Sequence, residues 1–273
     1  MSTQRQKADH FRALHARDEA FIIPNPWDRG GARLLAQAGF EALATTSAGC
    51  AFSLGLQDNQ VGRERMLAHV AELAAATDLP LSVDLENGFG HDPETVAETI
   101  RMTAEAGAVG GSIEDATGDP AHPLYELDHA VARIRAAVQA ARALPFPFTL
   151  TARAENFLVG KPDLDDAIAR LRAYQEAGAD VLYAPGLRTQ EQIEAVLHAV
   201  DRPLNVLATA AFDRDMLSKM GVRRISVGGA LTRAAYGALL RAIEEMRERG
   251  GFTYFNDAVP HGELQKRFAQ ERD

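Results

Sequence analysis

The sequence contains a single cysteine, Cys50, in 273 residues. One cysteine excludes an intramolecular disulfide and a multi-cysteine zinc site, and it is typical of a reducing compartment. Long apolar runs are also absent, since nothing approaches the roughly eighteen consecutive apolar residues that a membrane span requires. The polar segment 1–17 lacks the apolar core of a signal peptide. These absences predict a soluble, cytoplasmic protein.

An excess of positive charge is missing as well. The chain has 29 Lys and Arg against 38 Asp and Glu, a formal net charge of -9. Nucleic acids and anionic membranes attract basic surfaces, so the composition argues against both as partners and favours a small molecule. With 46% hydrophobic residues the chain can bury a sizeable core. No linker or low-complexity stretch divides it, so we interpret residues 1–273 as one domain.

A weak internal repeat organises the chain. In four places a helical segment ends in glycine and a short apolar segment follows, at Gly39, Gly107, Gly178 and Gly221. Glycine just past a helix is the usual left-handed cap. With the other apolar runs, this pattern predicts eight strands, at residues 21–24, 41–47, 81–85, 111–115, 148–153, 180–185, 203–207 and 223–229. Predicted helices alternate with them, including residues 29–38, 63–77, 93–106, 163–177 and 191–200.

This regular alternation predicts an α/β fold, specifically a (β/α)8 TIM-type barrel. A doubly wound open sheet is the alternative. It is disfavoured as a dinucleotide-binding fold because no Gly-x-Gly-x-x-Gly motif follows the first strand. A long helix at 232–249 and an amphipathic tail at 252–273 predict a C-terminal helical extension.

Carboxylates are concentrated where the predicted strands end. Asp58 follows the second strand, Asp84 and Glu86 end the third, and Glu114 ends the fourth. Strand ends meet at one mouth of a barrel, where four acids would repel one another unless a cation or protons intervened. Oxygen ligands without His or Cys suit Mg²⁺ or Mn²⁺. The alternative is that each acid caps a helix or faces solvent, but period two places Asp84 and Glu86 on one strand face.

The fifth predicted strand carries Arg153 and Glu155 on its polar face. An arginine at the end of an interior strand can bind a carboxylate or phosphonate through two parallel hydrogen bonds. A salt bridge to a neighbouring acid is the alternative. The small residues 46–49 and the glycines 228–229 have backbone amides of the kind that hold anions, although tight packing explains the two glycines equally well.

Together these segments resemble the isocitrate lyase/phosphoenolpyruvate mutase superfamily over about residues 21–249. Four motifs in order carry the resemblance: Thr-Ser-Ala-Gly at 46–49 with Ser-Leu-Gly-Leu-Gln-Asp at 53–58, Val-Asp-Leu-Glu-Asn-Gly-Phe-Gly at 83–90, Ser-Ile-Glu-Asp at 112–115, and Thr-Ala-Arg-Ala-Glu-Asn-Phe at 151–157.

The resemblance implies a barrel that binds one Mg²⁺ and stabilises the enolate of a 2-oxo acid. It implies a homotetramer or homodimer in which residues 231–273 contact, and exchange helices with, a partner. By position, Asp84 corresponds to the direct metal ligand, and three further acids hold the metal's waters: Asp58, Glu86 and Glu114. The residues that correspond to substrate-binding groups are Thr46, Ser47, Ala48, Asp84 and Arg153.

The sequence also departs from the resemblance at three places. The lyases carry Lys-(Lys/Arg)-Cys-Gly-His after the fourth strand, whereas residues 114–123 read Glu-Asp-Ala-Thr-Gly-Asp-Pro-Ala-His-Pro. Ala116 stands where mutases and phosphonopyruvate hydrolases have lysine, and residues 183–185 replace a glutamate or histidine. Cys50 lies on another loop, and we interpret it as a buried apolar residue.

An oxaloacetate decarboxylase-like carbon–carbon lyase is the function that requires the fewest groups. Departing CO₂ takes no proton with it, and a metal on the keto oxygen accepts the developing charge. We assign the catalytic roles to Arg153, Glu114 and Glu155. The alternatives are an isocitrate lyase-like or phosphonopyruvate-type lyase, with Glu155, His122 or Tyr183 as base, and a non-catalytic protein that binds a 2-oxo acid such as 2-oxoglutarate. Residues 115–124 are expected to form a mobile lid.

Overall fold

The computed structural model describes residues 2–269 and confirms the predicted barrel. Eight parallel strands form one sheet in the order β1-β8-β7-β6-β5-β4-β3-β2. The strands are β1 (Phe21–Ile23), β2 (Leu43–Ala44), β3 (Leu81–Asp84), β4 (Gly110–Glu114), β5 (Thr149–Arg153), β6 (Val181–Tyr183), β7 (Leu204–Leu207) and β8 (Arg224–Ser226).

Helices surround this sheet and extend it at the C-terminal end. They are α1 (Gln4–His15), α2 (Arg29–Gln37), α3 (Ser47–Ser53), α4 (Arg63–Ala74), α5 (Pro93–Glu105), α6 (Leu127–Arg142), α7 (Leu164–Glu176), α8 (Gln190–Ala199), α9 (Arg214–Met220), α10 (Ala230–Arg249) and α11 (His261–Ala269), with a 3₁₀ turn at Thr253–Asn256. Within residues 2–269, no helix combines the length and apolarity needed to cross a membrane.

The sheet closes between β1 and β2, although no ladder pair joins these two strands in the described part of the chain. The Ala44 amide donates to the Pro24 carbonyl over 3.1 Å. The buried side chain of Asn25 adds to this closure: its Nδ2 donates to the Thr45 carbonyl at 2.8 Å, and its Oδ1 accepts the amides of residues 227–228 at 2.9 Å each. One side chain therefore joins the ends of three strands at the barrel mouth.

Side-chain caps determine where most of the helices begin. In seven helices the N-cap side chain accepts a backbone amide of the first turn; these caps are Thr3, Asp28, Thr46, Asp92, Asp163, Thr189 and Asp213. Such caps stabilise a helix by about 1 kcal/mol each. The acids that the sequence places at the barrel mouth are not among them, so helix capping does not explain those acids.

The structure corrects several predicted boundaries close to the mouth. β3 ends at Asp84, so Glu86 lies in the following turn with φ 51° and not on the strand face that period two predicted. The strand predicted at 41–47 is only two residues long, and the residues from Ser47 onward form the unpredicted helix α3. The predicted amphipathic tail contains α11, and its residues 270–273 lie outside the described residues.

Helix α1 closes the opposite end of the barrel, where His15 lies buried against the rings of Phe11 and Phe21. His15 Nδ1 lies 2.8 Å from the Phe11 carbonyl, and Nε2 has no hydrogen-bond partner. Burial, reinforced by the positive charge of Arg224, lowers the pKa of His15 to about 3.

This shift predicts that His15 makes the fold sensitive to acid. The unfolded chain binds a proton at His15 below pH of about 6.5, whereas the folded chain does so only near its lowered pKa, so stability falls as the pH falls between these values. We expect the decline in the free energy of unfolding from pH 7 to pH 5 to be about 2 kcal/mol smaller in His15→Gln than in the wild type. Urea denaturation at each pH measures it. The exposed His10 on the same helix provides the control, and equal pH dependence of His10→Gln and His15→Gln would contradict the prediction.

Candidate active site

A cavity of about 190 Å³ opens among the carboxyl ends of the strands and extends into the barrel. It brings together six of the residues predicted to bind metal or substrate: Thr46, Ser47, Ala48, Asp58, Asp84 and Arg153. The other three predicted residues, Glu86, Glu114 and Glu155, are buried nearby and are not part of the lining.

Asp84 is held in place from two sides. Its Oδ2 accepts both the backbone amide of Ser47 at 3.1 Å and the Ser47 hydroxyl at 2.9 Å. Its Oδ1 lies 3.4 Å from Nη1 of Arg153, and its own amide donates to the Thr45 hydroxyl at 2.9 Å. This carboxylate is therefore fixed at the cavity wall by the start of α3 and the end of β5.

Arg153 is the centre of a buried group of ion pairs. Besides Asp84, its guanidinium contacts Glu114 Oε2 at 3.2 Å, and its Nε donates to Glu155 Oε1. Burial alone would lower the pKa of Arg153, but the three carboxylates raise it above its usual value. In this conformation the guanidinium forms the salt bridges that the sequence left open as the alternative. Binding a substrate carboxylate would therefore mean exchanging one of these partners.

The carboxylates around Arg153 are crowded and poorly solvated. Burial, with the charges of Asp84 and Asp58 adding to it, raises the pKa of Glu86 to about 7, and Glu86 Oε1 is buried without a hydrogen-bond partner. Burial likewise raises the pKa of Asp58 and that of Glu114. Raised pKa values of this kind indicate a site that favours either protons or an added cation.

This donor set suits a hydrated divalent cation. In residues 2–269, no three His, Cys, Asp or Glu side chains are close enough to ligate one ion together. Mg²⁺ commonly keeps several waters and takes only one or two protein carboxylates. Asp84 on the cavity wall could supply the direct contact, and the unpartnered oxygen of Glu86 could hold a water.

Behind the cavity lies a buried network that the sequence did not predict. Asp115 accepts the Glu155 amide at 2.8 Å, the Tyr174 hydroxyl at 2.5 Å and Arg170 Nη1 at 3.2 Å. Burial raises the pKa of Asp115, and these hydrogen bonds act against that shift. Asp115 therefore fixes the backbone that follows Arg153, and it does not face the cavity.

Arg133 likewise fixes backbone near the cavity, at the end of β4 and in the loop that follows β3. It is 1% exposed on α6, its Nη1 donates to the Glu114 carbonyl at 3.3 Å, and its Nη2 donates to the Gly90 carbonyl at 3.0 Å. Its guanidinium lies 4.1 Å from the centre of the Tyr125 ring, a cation–π contact. An arginine in line with the apolar residues of α6 is the sequence signal that could have revealed it.

Two of the three candidate bases, His122 and Tyr183, fit proton transfer poorly, and the third, Glu155, is buried and bonded to Arg153. His122 is exposed in a small hairpin, in which Ala116 and Leu124 form an antiparallel bridge, and it does not line the cavity. Tyr183 does line the cavity, but burial raises its pKa to about 12. The mobility of residues 115–124 stays a prediction.

Cys50 is 2% exposed in α3, packed in a cluster with Val61 and Met66, and burial raises its pKa to about 11. The interpretation of Cys50 as a buried apolar residue is confirmed. Gly90 is also explained by packing, because a Cβ there would lie 2.4 Å from Thr95 Cγ2 of α5. Cys50 and Gly90 do not line the cavity.

The sequence profile of the phosphoenolpyruvate phosphomutase family matches residues 11–247, which is most of the chain. The chain belongs to the phosphoenolpyruvate mutase/isocitrate lyase superfamily. Its relatives include the oxaloacetate decarboxylase of Paraburkholderia xenovorans, 32% identical over 90% of this chain and 83% of the relative. The 2-methylisocitrate lyase of Escherichia coli K12 is 32% identical over 82% of this chain and 80% of the relative.

Solved structures of superfamily members have the same fold as this chain. A Burkholderia cenocepacia J2315 protein, provisionally called a lyase/mutase, is 62% identical with a TM-score of 0.96 and covers 98% of this chain and 97% of its own. A phosphonopyruvate hydrolase solved with oxalate and Mg²⁺ is 25% identical with a TM-score of 0.84, over 95% of both chains. The superfamily includes carbon–carbon lyases, which confirms the predicted enzyme class at that level.

Proposed function

We propose that this superfamily member cleaves a carbon–carbon bond of a 2-oxo or 2-hydroxy dicarboxylate in the cavity beside Asp84, with Mg²⁺ or Mn²⁺ as cofactor. Decarboxylation of oxaloacetate is the reaction that we rank first. The observation that supports this ranking is the lining of the cavity, since none of its residues in the described part of the chain is Cys, His or Lys. Loss of CO₂ needs no residue to remove a proton, whereas aldol-type cleavage of a 2-hydroxy acid does.

The acidic side chains of the site would bind the metal ion. Asp84 would ligate the metal, with Asp58, Glu86 and Glu114 around its waters. Bound there, the ion would polarise the keto oxygen of the substrate as a Lewis acid.

Thr46, Ser47 and Ala48, at the start of α3, would orient the 2-oxo carboxylate. To do so, the Ser47 amide and hydroxyl would exchange their present partner, Asp84. Arg153 would bind the same carboxylate through its fork, and Glu114 and Glu155 would keep the guanidinium in place. As the bond to the departing carboxylate breaks, its electron pair moves toward the keto oxygen. The positive charges of the bound ion and of Arg153 would stabilise the resulting enolate.

An assay of four substrates at equal enzyme concentration tests the proposal. We expect Mg²⁺-dependent release of CO₂ from oxaloacetate, and no cleavage of isocitrate, methylisocitrate or phosphonopyruvate at efficiencies near 10⁴ M⁻¹s⁻¹. Thiol-blocking reagents should leave turnover intact because Cys50 is buried. Isocitrate cleavage equal to oxaloacetate decarboxylation would reverse the ranking. Binding of a 2-oxo acid without any product would favour the non-catalytic binder.

We also propose that the chain forms a homodimer or homotetramer through its C-terminal helices. Helix α10 exposes an apolar stripe at helical spacing, made of Leu239, Leu240, Ile243 and Met246, with Leu240 64% exposed. Exposed apolar stripes of this kind mark interaction sites.

This stripe predicts the outcome of a light-scattering measurement. The wild type should be larger than the 29.5 kDa monomer, and the double variant Leu240→Glu with Ile243→Glu should shift toward that mass, because two buried charges would cost several kcal/mol at an interface. Glu248→Lys changes an exposed residue on another face of α10 and should leave the assembly intact. A monomeric wild type would refute the proposal.

A further inference from the structure

Inside the barrel lies a buried cation that no carboxylate balances. Arg224 is 5% exposed, and its guanidinium donates to two neutral side chains, from Nε to Asn205 Oδ1 at 2.9 Å and from Nη2 to Thr151 Oγ1 at 3.0 Å. Its Nη1 is buried and has no hydrogen-bond partner. In residues 2–269 no Asp or Glu forms an ion pair with it.

The other buried arginines have partners that Arg224 lacks: Arg133 forms no ion pair within residues 2–269, but it donates to backbone carbonyls and lies against the Tyr125 ring. Arg153 contacts three carboxylates, and Arg170 pairs with Asp115 and Asp166. Burial lowers the pKa of Arg224 to about 10, so the group is still charged at neutral pH. A buried unpaired charge costs several kcal/mol of stability. Arg224 differs from Arg133 in that it lines the cavity, where a bound anion could reach its unpartnered Nη1.

Arg224 lines the same cavity as Asp84 and Arg153. Arg153, Tyr183, Asn205 and Arg224 are successive register partners on β5, β6, β7 and β8, so their side chains share the inner face of the barrel. The guanidinium is bonded to Thr151, two residues before Arg153. It therefore lies roughly 6–7 Å deeper along β5.

Polar and apolar side chains both line this cavity. Side chains with hydroxyl or amide groups line it, among them Ser82, Ser112, Asn205 and Ser226. TIM-barrel interiors are usually filled with bulky apolar side chains. A cavity that combines several hydroxyl groups with an unpaired guanidinium suits an extended ligand with an anionic group at its far end.

We propose that Arg224 binds the distal carboxylate of a 2-oxo or 2-hydroxy diacid whose reactive end lies beside Asp84 and Arg153. This inference rests on the proposed function and extends its substrate class from oxaloacetate to longer diacids. The depth of Arg224 leaves the short diacid oxaloacetate above it. Longer diacids, such as those of 2-oxoglutarate length, reach the guanidinium and keep that carboxylate intact during the reaction.

A matched pair of ligands tests the proposal by calorimetry in the presence of Mg²⁺. 2-Oxoglutarate and 2-oxopentanoate have the same carbon chain and differ only in the distal carboxylate. We expect the wild type to bind the diacid at least about tenfold more tightly, equivalent to about 1.4 kcal/mol. Arg224→Met should reduce this ratio to about one and leave the affinity for 2-oxopentanoate and for oxalate unchanged.

Arg223→Met is the control, because Arg223 is the preceding residue of the chain and pairs with Asp18 at the surface. It should keep the wild-type ratio. Binding of oxalate also reports whether each variant is folded, and Arg224→Gln replaces Arg224→Met if the latter fails to fold. The proposal is overturned if the wild type does not distinguish the two ligands, or if the Arg224 variants keep the wild-type ratio. A wild type that binds no oxalate would instead refute the proposed function.

Discussion

Replacing Asp84 with asparagine will abolish metal-dependent turnover, with a loss of at least about 10³-fold in kcat/KM. The amide keeps the shape of the side chain but removes the charge of Asp84, which Ser47 and Arg153 hold at the cavity wall. Steady-state kinetics with oxaloacetate measure the loss, and calorimetry with Mg²⁺ alone should show binding in the wild type and none in Asp84→Asn.

Asp128→Asn is the matched control, because it makes the same chemical change at an exposed position on α6. It should leave turnover and Mg²⁺ affinity unchanged. Wild-type activity in Asp84→Asn, or in enzyme stripped with EDTA, would show that Asp84 does not ligate a catalytic metal.

Replacing Arg153 with methionine will destabilise the fold and inactivate the enzyme. Three buried or half-buried carboxylates, Asp84, Glu114 and Glu155, would lose their shared cation and would have to take up protons or remain charged without a partner. Breaking a buried ion pair from one side costs about 3–5 kcal/mol. We expect a loss of this size in the free energy of unfolding, measured by urea denaturation at pH 7.

Two further variants separate charge from geometry. Arg153→Lys keeps the charge but not the planar fork, so it should retain most of the stability and still lose about 10²-fold in kcat/KM. Arg101→Met breaks the exposed ion pair to Glu94, at 2.8 Å, and should cost less than about 1 kcal/mol. If Arg153→Met were as stable as Arg101→Met, the cluster would contribute nothing to the fold.

The fold was predictable because its signals are local and repeated. The four glycines that ended predicted helices, Gly39, Gly107, Gly178 and Gly221, all have φ between 86° and 106° in the structure, as a left-handed cap requires. Helix α3 was not predicted because it is only seven residues long and begins only three residues after the last residue of β2. Short helices carry too few apolar positions to show a period.

The site was predictable in part. The motif residues were placed at the right end of the barrel, but which of them contact one another depends on turns that a periodic pattern does not describe. Glu86 shows this, because its positive φ takes it off the strand face. Arg224 was not predicted, although successive strand residues point to opposite sides and one of the two adjacent arginines, 223 and 224, had to face inward.

The closure of the barrel between β1 and β2 has a consequence for motion. β4 and β5 share five register pairs, whereas β1 and β2 meet through the Ala44 amide and the side chain of Asn25. Regions with few backbone hydrogen bonds open locally at the lowest free energy. Amide hydrogen exchange would therefore be fastest at this junction within the sheet, directly beside residues 46–49 of the cavity. A ligand bound beside residues 46–49 would be expected to slow that exchange.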